Sequence, residues 1–315
     1  MPPQERKESV LVHLASGVGN VVLATPLLVA LDELGFAVDV LLDADYPQTA
    51  DLLRGWSVVR AVYGARERRE LLRGGAHRFL VPAVPPFYWP YLGVHYEGVA
   101  RAVARPPDAL FYEDEQEYYL AFARELGCEE GRRPCYRLPV GPSRAGGVTT
   151  RTLAIAPGCK TGEMSAKRWP HFPRLAEEFA DVVVVGQRDD LARHDGTPFD
   201  FPAHARLFVD CLSLSETAAL LASAGVVVAN DSGLAHVAAA VGTPTVMIFG
   251  PTPDRALGRM PPNVYVLRSG LGCEPCWFGR RFEACGARLD CLARVTVEEV
   301  ARVARSLLGD DVKAC

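Results

Sequence analysis

Short runs of apolar residues, each closed by a turn of small or polar residues, recur along the first half of the chain. Residues 10–14 and 37–42 have the composition of buried strands, and residues 21–34 between them have the spacing of a helix. Pro26 falls inside this helix, so we expect the helix to begin later than Val21. A strand, a helix and a second strand in this order predict a parallel, doubly wound sheet.

The rest of the first half contains a loop, a helix and a linker. Residues 82–90 are too rich in proline for a regular element and are predicted to form a loop, whereas residues 113–126 are typical of an acidic, aromatic helix. The stretch 139–147 has the proline and glycine content of a linker. It predicts one domain at residues 1–146 and a second at residues 147–315.

The same alternation of strands and helices resumes after the linker. Further strands are predicted at residues 153–156, 182–185, 226–229 and 245–249, and further helices at residues 172–179, 213–223 and 295–308. The chain is therefore predicted to be an α/β protein with two doubly wound domains of similar size.

Residues 226–252 form the most informative segment. An apolar strand runs into Asn-Asp-Ser-Gly, a helix of small residues follows, and a second strand ends in Gly-Pro-Thr. Such turns lie at the carboxyl edge of a parallel sheet, where open α/β sheets bind ligands. Asp231 or Ser232 can cap the helix, and Gly233 lets a ligand approach the backbone. The helix start would face an anion such as a diphosphate, although the segment alone fits a well-capped helix in any α/β protein equally well.

The charge balance argues against a nucleic-acid partner. The formal net charge is −4 and the pI is about 6.0. Arginines nevertheless crowd one region, which is either a solvated surface or a basic patch for an anionic partner. These arginines are Arg60, Arg66, Arg68, Arg69, Arg73 and Arg78, followed by Arg101 and Arg105.

The sequence predicts neither a membrane span nor a signal peptide. No apolar run reaches the roughly 18 residues of a membrane span, and the polar start is unlike a signal peptide. We expect a cytoplasmic protein with at most peripheral membrane contact. In that compartment the nine cysteines are not expected to form a disulfide framework.

Four blocks of the sequence carry a family resemblance. They are residues 16–28, Pro157-Gly158 with Lys167-Arg168-Trp169-Pro170, residues 230–252, and the cysteine-rich stretch 273–292. Together they resemble glycosyltransferase family 9, the ADP-heptose:lipopolysaccharide heptosyltransferases and their relatives. The resemblance implies a GT-B fold, in which two Rossmann-like domains face each other across a cleft. The first domain would bind the acceptor and the second the nucleotide sugar.

The resemblance also implies a reaction. It would be the inverting, metal-independent transfer of heptose or a related sugar from a nucleoside diphosphate sugar, such as ADP-heptose, to an acceptor hydroxyl. Such a transfer needs no cofactor, but a leaving diphosphate must be stabilised by positive charge and N–H donors. By resemblance, Lys167 contacts the diphosphate and Asp231 contacts the transferred sugar.

Further candidates for the donor site surround these two residues. Asp189 and Asp190 follow a strand and would reach the ribose hydroxyls, or would cap the next helix instead. His236 lies one helical turn after Ser232 and would donate to a phosphate or to the sugar, or would be a core histidine. The other candidates are Thr161, Ser165, Arg168, Gly233, Leu234, Gly250, Pro251 and Thr252.

The general base is the point at which this chain departs from the family pattern. Many heptosyltransferases carry an aspartate at the position of Asn20, and an asparagine cannot accept a proton at neutral pH. Another group could serve instead, the acceptor could be more acidic or assisted by phosphate, or the protein could bind without turnover. We favour the first interpretation, in which Asn20 orients the acceptor. The candidate bases are Asp43, Asp45, His95 and Glu97.

The cysteine-rich stretch is spaced like a loose zinc knuckle. Cys273 and Cys276 form one CxxC pair, and Cys285 and Cys291 follow. A Cys₄ zinc site usually shows two such pairs, so these residues are either structural zinc ligands or buried and incidental thiols.

Several functions remain open from the sequence. The family setting is lipopolysaccharide core assembly, and another glycoconjugate or an anionic or small-molecule acceptor is the alternative, because of Asn20 and the aromatic stretch at residues 82–91. A nucleotide-sugar-binding pseudoenzyme is a rival from another class. A sugar-nucleotide epimerase of GT-B shape is a further rival, but such enzymes need carboxylates clustered in the cleft.

Overall fold

The computed structural model describes residues 8–143, 145–276, 285 and 288–309. These residues form two compact units. The first contains the described residues up to Pro139 together with Arg255–Met260, and the second contains Val140–Asp254 and the described residues from Pro261 onwards. The chain therefore returns to the first unit for one short segment.

The described part of the first unit is built on a four-stranded parallel sheet with the strand order β3-β2-β1-β4. The strands are β1 (Ser9–Ser16), β2 (Ala37–Ala44), β3 (Ala61–Gly64) and β4 (Phe79–Ala83). The helices are α1 (Val18–Leu23), α2 (Thr25–Glu33), α3 (Arg68–Arg73), α4 (Trp89–Leu92), α5 (Asp108–Glu113) and α6 (Glu115–Arg124). Turns of 3₁₀ helix span Pro47–Leu52, Ala65–Glu67, Pro86–Tyr88 and Gly93–Tyr96.

The helix predicted at residues 21–34 is two helices that meet at Ala24, and it begins earlier than expected. Pro26 causes the break, because it has no N–H to donate to the carbonyl of Val22. The Thr25 hydroxyl donates to that carbonyl instead, at 2.7 Å. The proline thus occupies the first turn of a new helix, where the missing donor is tolerated.

The prediction of a loop at residues 82–90 was wrong in part. Pro82 lies within β4, which is an edge strand of the sheet and can therefore accommodate a residue without an N–H. Pro86 and Pro90 lie in the first turns of a 3₁₀ helix and of α4, respectively. Proline favours such positions because its φ is already helical.

The segment Arg255–Met260 is held in the first unit by Gln116. Its amide nitrogen donates to the carbonyl oxygens of Leu257 at 2.7 Å and Arg259 at 3.0 Å. Gly258 between them has φ +82°, and a Cβ atom at this position would clash with Asp114. Only glycine fits this close approach.

The described part of the second unit contains a six-stranded parallel sheet with the strand order β10-β9-β8-β5-β6-β7. The strands are β5 (Leu153–Ala156), β6 (Val182–Gly186), β7 (Arg206–Val209), β8 (Val226–Asn230), β9 (Thr245–Ile248) and β10 (Val264–Leu267). The helices are α7 (Phe172–Glu177), α8 (Leu214–Leu221), α9 (Gly233–Ala240), α10 (Asp290–Ala293) and α11 (Val297–Leu308). Turns of 3₁₀ helix span Ala145–Gly147, Gly162–Lys167 and Arg188–Asp190, and another at Asp254–Leu257 leads into the segment that belongs to the first unit.

The strand order of the second sheet identifies its ligand-binding edge. In chain order the strands first build outward on one side from β5 to β7, and then on the other side from β8 to β10. This is the order of a doubly wound dinucleotide-binding sheet. The direction of winding reverses between β5 and β8, and the crevice at their carboxyl ends is where such sheets bind ligands.

The core of the second unit explains the apolar runs in the sequence. All five residues of β8 are buried, as expected for a parallel strand covered on both faces. Trp169, Phe172 and the inner face of α11 pack in one cluster with β5, β6, β8 and β9. None of the described helices is long and apolar enough to cross a membrane.

Asn230, the last residue of β8, joins three segments at the reversal point. Its Nδ2 donates to the carbonyl oxygen of Pro157 at 2.6 Å, and its Oδ1 accepts from the backbone N–H of Trp169 at 2.8 Å. The side chain is fully buried. Buried backbone groups need hydrogen-bond partners, and this one amide provides them for a carbonyl and an N–H in two loops outside the strands.

We therefore predict that Asn230→Ala destabilises the protein. Two buried backbone groups would lose their partners, and each costs about 1–3 kcal/mol when left unpaired. The free energy of unfolding, measured with urea, should fall by roughly 2 kcal/mol or more. Thr150→Ala, at an exposed position shortly before β5, is the control and should unfold like the wild type. Equal stability of Asn230→Ala and the wild type would show that water replaces the amide without loss.

Candidate active site

The polar residues predicted from the segment 226–252 do lie at the reversal point of the second sheet. Asp231 follows β8 directly, and Lys167 ends the 3₁₀ turn that precedes Trp169. The Lys167 Nζ lies 3.1 Å from Asp231 Oδ2. The His236 Nε2 lies 3.5 Å from the other carboxylate oxygen, Oδ1. All three side chains are largely buried, so the structure brings together three of the predicted residues in one cluster.

The electrostatics of this cluster keep Asp231 ionised. Burial by itself would raise the pKa of Asp231, but the ammonium of Lys167 and the hydrogen bond from His236 outweigh it and hold that pKa below its usual value. A lysine ammonium has three donors, and Asp231 uses one of them. Lys167 can therefore contact a second anion without leaving Asp231.

Two buried hydroxyl groups lie at the same edge of the sheet. Ser232 occupies the N-cap position of α9, yet its hydroxyl makes no cap hydrogen bond, and Asp231 contacts Lys167 and His236 instead. The oxygens of Ser232 and Thr252 are both buried without a hydrogen-bond partner among the described residues. Since buried polar atoms are rarely left unsatisfied, these two hydroxyls are suited to a polar ligand. Gly233 and Leu234 begin α9, whose first N–H groups have no acceptor within the helix.

The loop that carries Thr252 is braced by Arg268, a residue that the sequence analysis missed. Its guanidinium donates to the carbonyl oxygens of Gly250 at 3.2 Å and Thr252 at 2.6 Å, and to Asp254 at 2.6 Å. It also lies over the ring of Phe249, 5.1 Å from the centroid. Arg268 therefore holds Gly250, Pro251 and Thr252 in place. A single arginine after an edge strand gives no signal of this role in the sequence.

Arg168 forms hydrogen bonds within the protein. Its guanidinium is buried and donates to the carbonyl oxygens of Ala192 at 2.9 Å and Cys159 at 3.4 Å, with Asp190 3.7 Å away. It stabilises the loop that carries Lys167. In the same loop the Ser165 hydroxyl lies 2.6 Å from His194 Nδ1, and Thr161 is exposed at the start of the 3₁₀ turn.

Asp189 and Asp190, the two acidic candidates after β6, have different surroundings. The Asp190 carboxylate accepts from the N–H of Gln187 at 2.8 Å and thus caps the 3₁₀ turn Arg188–Asp190. It packs against Gly158, where any Cβ atom would clash with it. Burial raises the pKa of Asp190 above its usual value, against the opposing effect of the Gln187 hydrogen bond. Asp189 is exposed, so it is the one of the pair that is open to a ligand.

In the first unit, Asn20 belongs to a polar cluster at the carboxyl end of β1. The Ser16 hydroxyl donates to Asn20 Oδ1 at 2.8 Å, and Asn20 Nδ2 donates to Glu115 Oε1 at 2.8 Å. The hydroxyl of Tyr119 donates to the same glutamate oxygen at 3.3 Å. Glu115 was not predicted from the sequence as a partner of Asn20, because it is 95 residues away from it along the chain.

Two of the four bases proposed from the sequence, Asp43 and Asp45, lie at the end of β2 beside Ser16, and the Asp45 N–H donates to the Ser16 carbonyl oxygen at 3.1 Å. Asp43 contacts Arg68, and His13 Nε2 lies 3.4 Å from it. The nearby His13, opposed by burial and aided by Arg68, lowers the pKa of Asp43. Asp45 accepts from the Tyr88 hydroxyl. The other two, His95 and Glu97, are exposed at the end of the 3₁₀ turn after α4.

The predicted zinc site is not supported. The described residues contain no group of three or more histidine, cysteine or acidic side chains placed to hold a metal ion. Cys273 is exposed, Cys276 and Cys285 are partly buried, and Cys291 is buried near Gly250. Residues 277–284, between the second and third predicted ligands, lie outside the described residues.

Comparison with curated proteins gives partial matches to one kind of enzyme. The chain is 36% identical over 110 residues to lipooligosaccharide heptosyltransferase 2 of Haemophilus influenzae, covering 32% of this chain and 31% of that protein. It is 34% identical over 113 residues to lipopolysaccharide heptosyltransferase 2 of Escherichia coli, covering 32% of each. The matched segments thus span about a third of the length of these relatives.

Solved structures match over nearly the whole chain. A family 9 glycosyltransferase from Veillonella parvula has a TM-score of 0.75 at 16% identity, covering 98% of this chain and 99% of that one. The E. coli ADP-heptose lipopolysaccharide heptosyltransferase II has a TM-score of 0.68 at 21% identity, covering 97% and 100%. An E. coli heptosyltransferase solved with ADP has a TM-score of 0.67 at 20% identity, covering 95% and 99%. At these identities the likeness concerns the fold, which is the GT-B fold predicted from the sequence.

A family model provides the assignment. The model of glycosyltransferase family 9 (heptosyltransferase) matches residues 107–283, which is more than half of the chain and includes Lys167, Asp231 and His236. The resemblance seen in the sequence motifs is thereby confirmed. The chain belongs to glycosyltransferase family 9, the heptosyltransferase family.

Proposed function

We propose that the protein is an inverting glycosyltransferase that moves heptose or a related sugar from a nucleoside diphosphate sugar, ADP-heptose, to an acceptor hydroxyl. Family membership supports the reaction class. The names of the relatives, which are lipopolysaccharide and lipooligosaccharide heptosyltransferases, support an acceptor in the lipopolysaccharide core or another glycoconjugate. A fold relative solved with ADP supports an adenosine diphosphate donor.

The observation that carries the proposal is the cluster at the reversal point of the second sheet. The Lys167 Nζ lies 3.1 Å from Asp231 and has further donors that a phosphate can accept from. At the same edge, the Ser232 and Thr252 hydroxyls are buried without a hydrogen-bond partner among the described residues. The first N–H groups of α9 add the positive end of a helix dipole. This set of groups is suited to a diphosphate.

Each group has a task in the proposed transfer. The acceptor oxygen attacks the anomeric carbon while the bond from that carbon to the diphosphate oxygen breaks, so the configuration inverts. The charge that develops on the departing diphosphate is stabilised by Lys167, the start of α9 and the two hydroxyls, without a requirement for a metal ion. Asp231, kept ionised by Lys167 and His236, accepts hydrogen bonds from the hydroxyls of the sugar.

We further propose the division of labour between the units. The second unit binds the donor, with Asp189 reaching the ribose and Gly250, Pro251 and Thr252 lining the site. Arg168 and Ser165 support the Lys167 loop, because Arg168 is held by backbone carbonyls and Ser165 lies against His194. The first unit binds the acceptor.

The proposal is tested by binding and turnover together. Isothermal titration with ADP and other nucleoside diphosphates should show selective binding, and ADP-heptose with a lipopolysaccharide-core acceptor should release ADP and yield a glycoside of inverted configuration. Binding of the donor without product for any acceptor, glycolipid or small molecule, would identify a nucleotide-sugar-binding protein instead. Failure to bind any nucleoside diphosphate would refute both.

We predict that Lys167→Ala lowers kcat by roughly 10²–10³-fold, because one charge-assisted stabiliser of the leaving diphosphate is lost. The measurement is the steady-state rate of ADP release. Lys160→Ala removes an exposed lysine from the same loop and serves as the matched control. Wild-type turnover in Lys167→Ala would show that the diphosphate is stabilised elsewhere.

We predict that Ser232→Ala weakens the binding of ADP without changing the stability of the free protein. The Ser232 hydroxyl has no hydrogen-bond partner among the described residues, so its removal should leave the melting temperature of the free protein unchanged. A hydrogen bond to a charged group is worth about 1.5–3 kcal/mol, so the Kd for ADP should rise by roughly tenfold or more. Titration calorimetry and thermal melting give the two values. An unchanged Kd would place the diphosphate away from the start of α9.

The lowered pKa of Asp231 predicts a dependence of stability on pH. Because the folded-state pKa lies below the unfolded value, ionised Asp231 stabilises the protein above the unfolded pKa, and this contribution is lost as the pH falls through the folded-state pKa. Asp231→Asn should therefore be less stable than the wild type at about pH 7, and the difference should narrow below about pH 4. Urea unfolding across this range measures it. Asp200→Asn, at an exposed position, should show no such trend.

A further inference from the structure

Glu115 is a buried carboxylate that is hydrogen-bonded to Asn20, the residue at which the sequence departs from the expected family pattern. It is the first residue of α6, only 5% exposed, and follows Asp114, whose side chain caps the helix. Glutamate is rarely buried without a specific role or partner. At the start of a helix the dipole favours its ionised form.

Asn20 joins Ser16 and Glu115 in a chain of hydrogen bonds. The amide of Asn20 is fixed on both sides, since its oxygen accepts from Ser16 and its nitrogen donates to Glu115. Asn20 is partly exposed, and Glu115 is largely buried. The Oε1 atom of Glu115 thus receives two neutral donors, the amide of Asn20 and the hydroxyl of Tyr119.

Glu115 is singled out among the carboxylates near Asn20 by its hydrogen bond to that residue. Asp43 instead pairs with Arg68 and with His13, and a carboxylate held by a cation gains little from a proton. Asp45 accepts from the hydroxyl of Tyr88.

We propose that Glu115 is the proton acceptor of the transfer, in the role that a carboxylate at residue 20 would otherwise have. The inference rests on the proposed function. As the acceptor oxygen bonds to the anomeric carbon, its proton passes to the Glu115 carboxylate, and the electron pair of the breaking carbon–oxygen bond leaves with the diphosphate. Glu115 then releases the proton to water. Asn20 orients the acceptor hydroxyl and the carboxylate.

The decisive experiment returns the carboxylate to residue 20. Glu115→Gln keeps the shape and an acceptor for Asn20 but cannot take a proton, so kcat should fall by roughly 10²–10⁴-fold. Adding Asn20→Asp in the same chain should restore a large part of the activity. Asn20→Asp alone places two carboxylates side by side, so the acidic limb of kcat/KM should move to higher pH. Glu113→Gln, at an exposed position two residues earlier, is the control and should match the wild type.

A second measurement does not depend on turnover. If Glu115 is ionised, Asn20→Asp should melt at a lower temperature than the wild type at neutral pH, because like charges in contact repel each other. The double variant should melt higher than Asn20→Asp, since a neutral glutamine can donate to the new aspartate. ADP affinity, measured alongside, checks that the second unit of each variant is folded.

Three results would overturn the proposal. Wild-type kcat in Glu115→Gln would remove the glutamate from the reaction. Equal loss of activity in the single and double variants, with ADP binding intact, would assign it a packing role. If Asn20→Asp changed the melting temperature by the same amount with glutamate and with glutamine at residue 115, Glu115 would be uncharged. If the wild type itself transfers no sugar, the proposed function fails first, and the melting data still report the charge at Glu115.

Discussion

The second unit depends on one buried amide. Asn230 satisfies the carbonyl of Pro157 after β5 and the N–H of Trp169, and it immediately precedes Asp231. Trp169 in turn follows Lys167 by two residues. The same side chain therefore sets both ends of the Lys167–Asp231 ion pair, at the point where the sheet reverses its direction of winding. A buried backbone group without a partner is costly, so this arrangement allows little variation.

Around this anchor the charged residues divide into two groups. Arg168 and Arg268 donate mainly to backbone carbonyls and hold the loops in shape. Lys167, by contrast, pairs with a single carboxylate and retains donors for a ligand. A planar guanidinium with five donors suits the bracing of several carbonyls, whereas the compact ammonium suits a point contact with phosphate. The chemistry of each side chain thus agrees with its position in the loops.

The start of α6 makes two long-range contacts in the first unit. It brings the Glu115 carboxylate within hydrogen-bond distance of Asn20. The neighbouring Gln116 holds the carbonyls of Leu257 and Arg259, so α6 also fixes the segment that returns from the second half of the chain. Two adjacent residues at the start of one helix therefore serve two separate purposes.

The sequence by itself determined the elements whose pattern is local. The apolar run of β8, the strand at Leu153–Ala156 and the helix after Ser213 were all predicted, because hydrophobic periodicity depends on residues a few positions apart. The family motifs likewise pointed to Lys167 and Asp231. Only the tertiary structure decided three contacts. Arg168 donates to a backbone carbonyl, Arg268 stabilises the Thr252 loop, and Glu115 accepts a hydrogen bond from Asn20. These contacts join residues far apart along the chain, and which of them meet depends on strand order and helix packing, for which a single sequence carries no periodic signal.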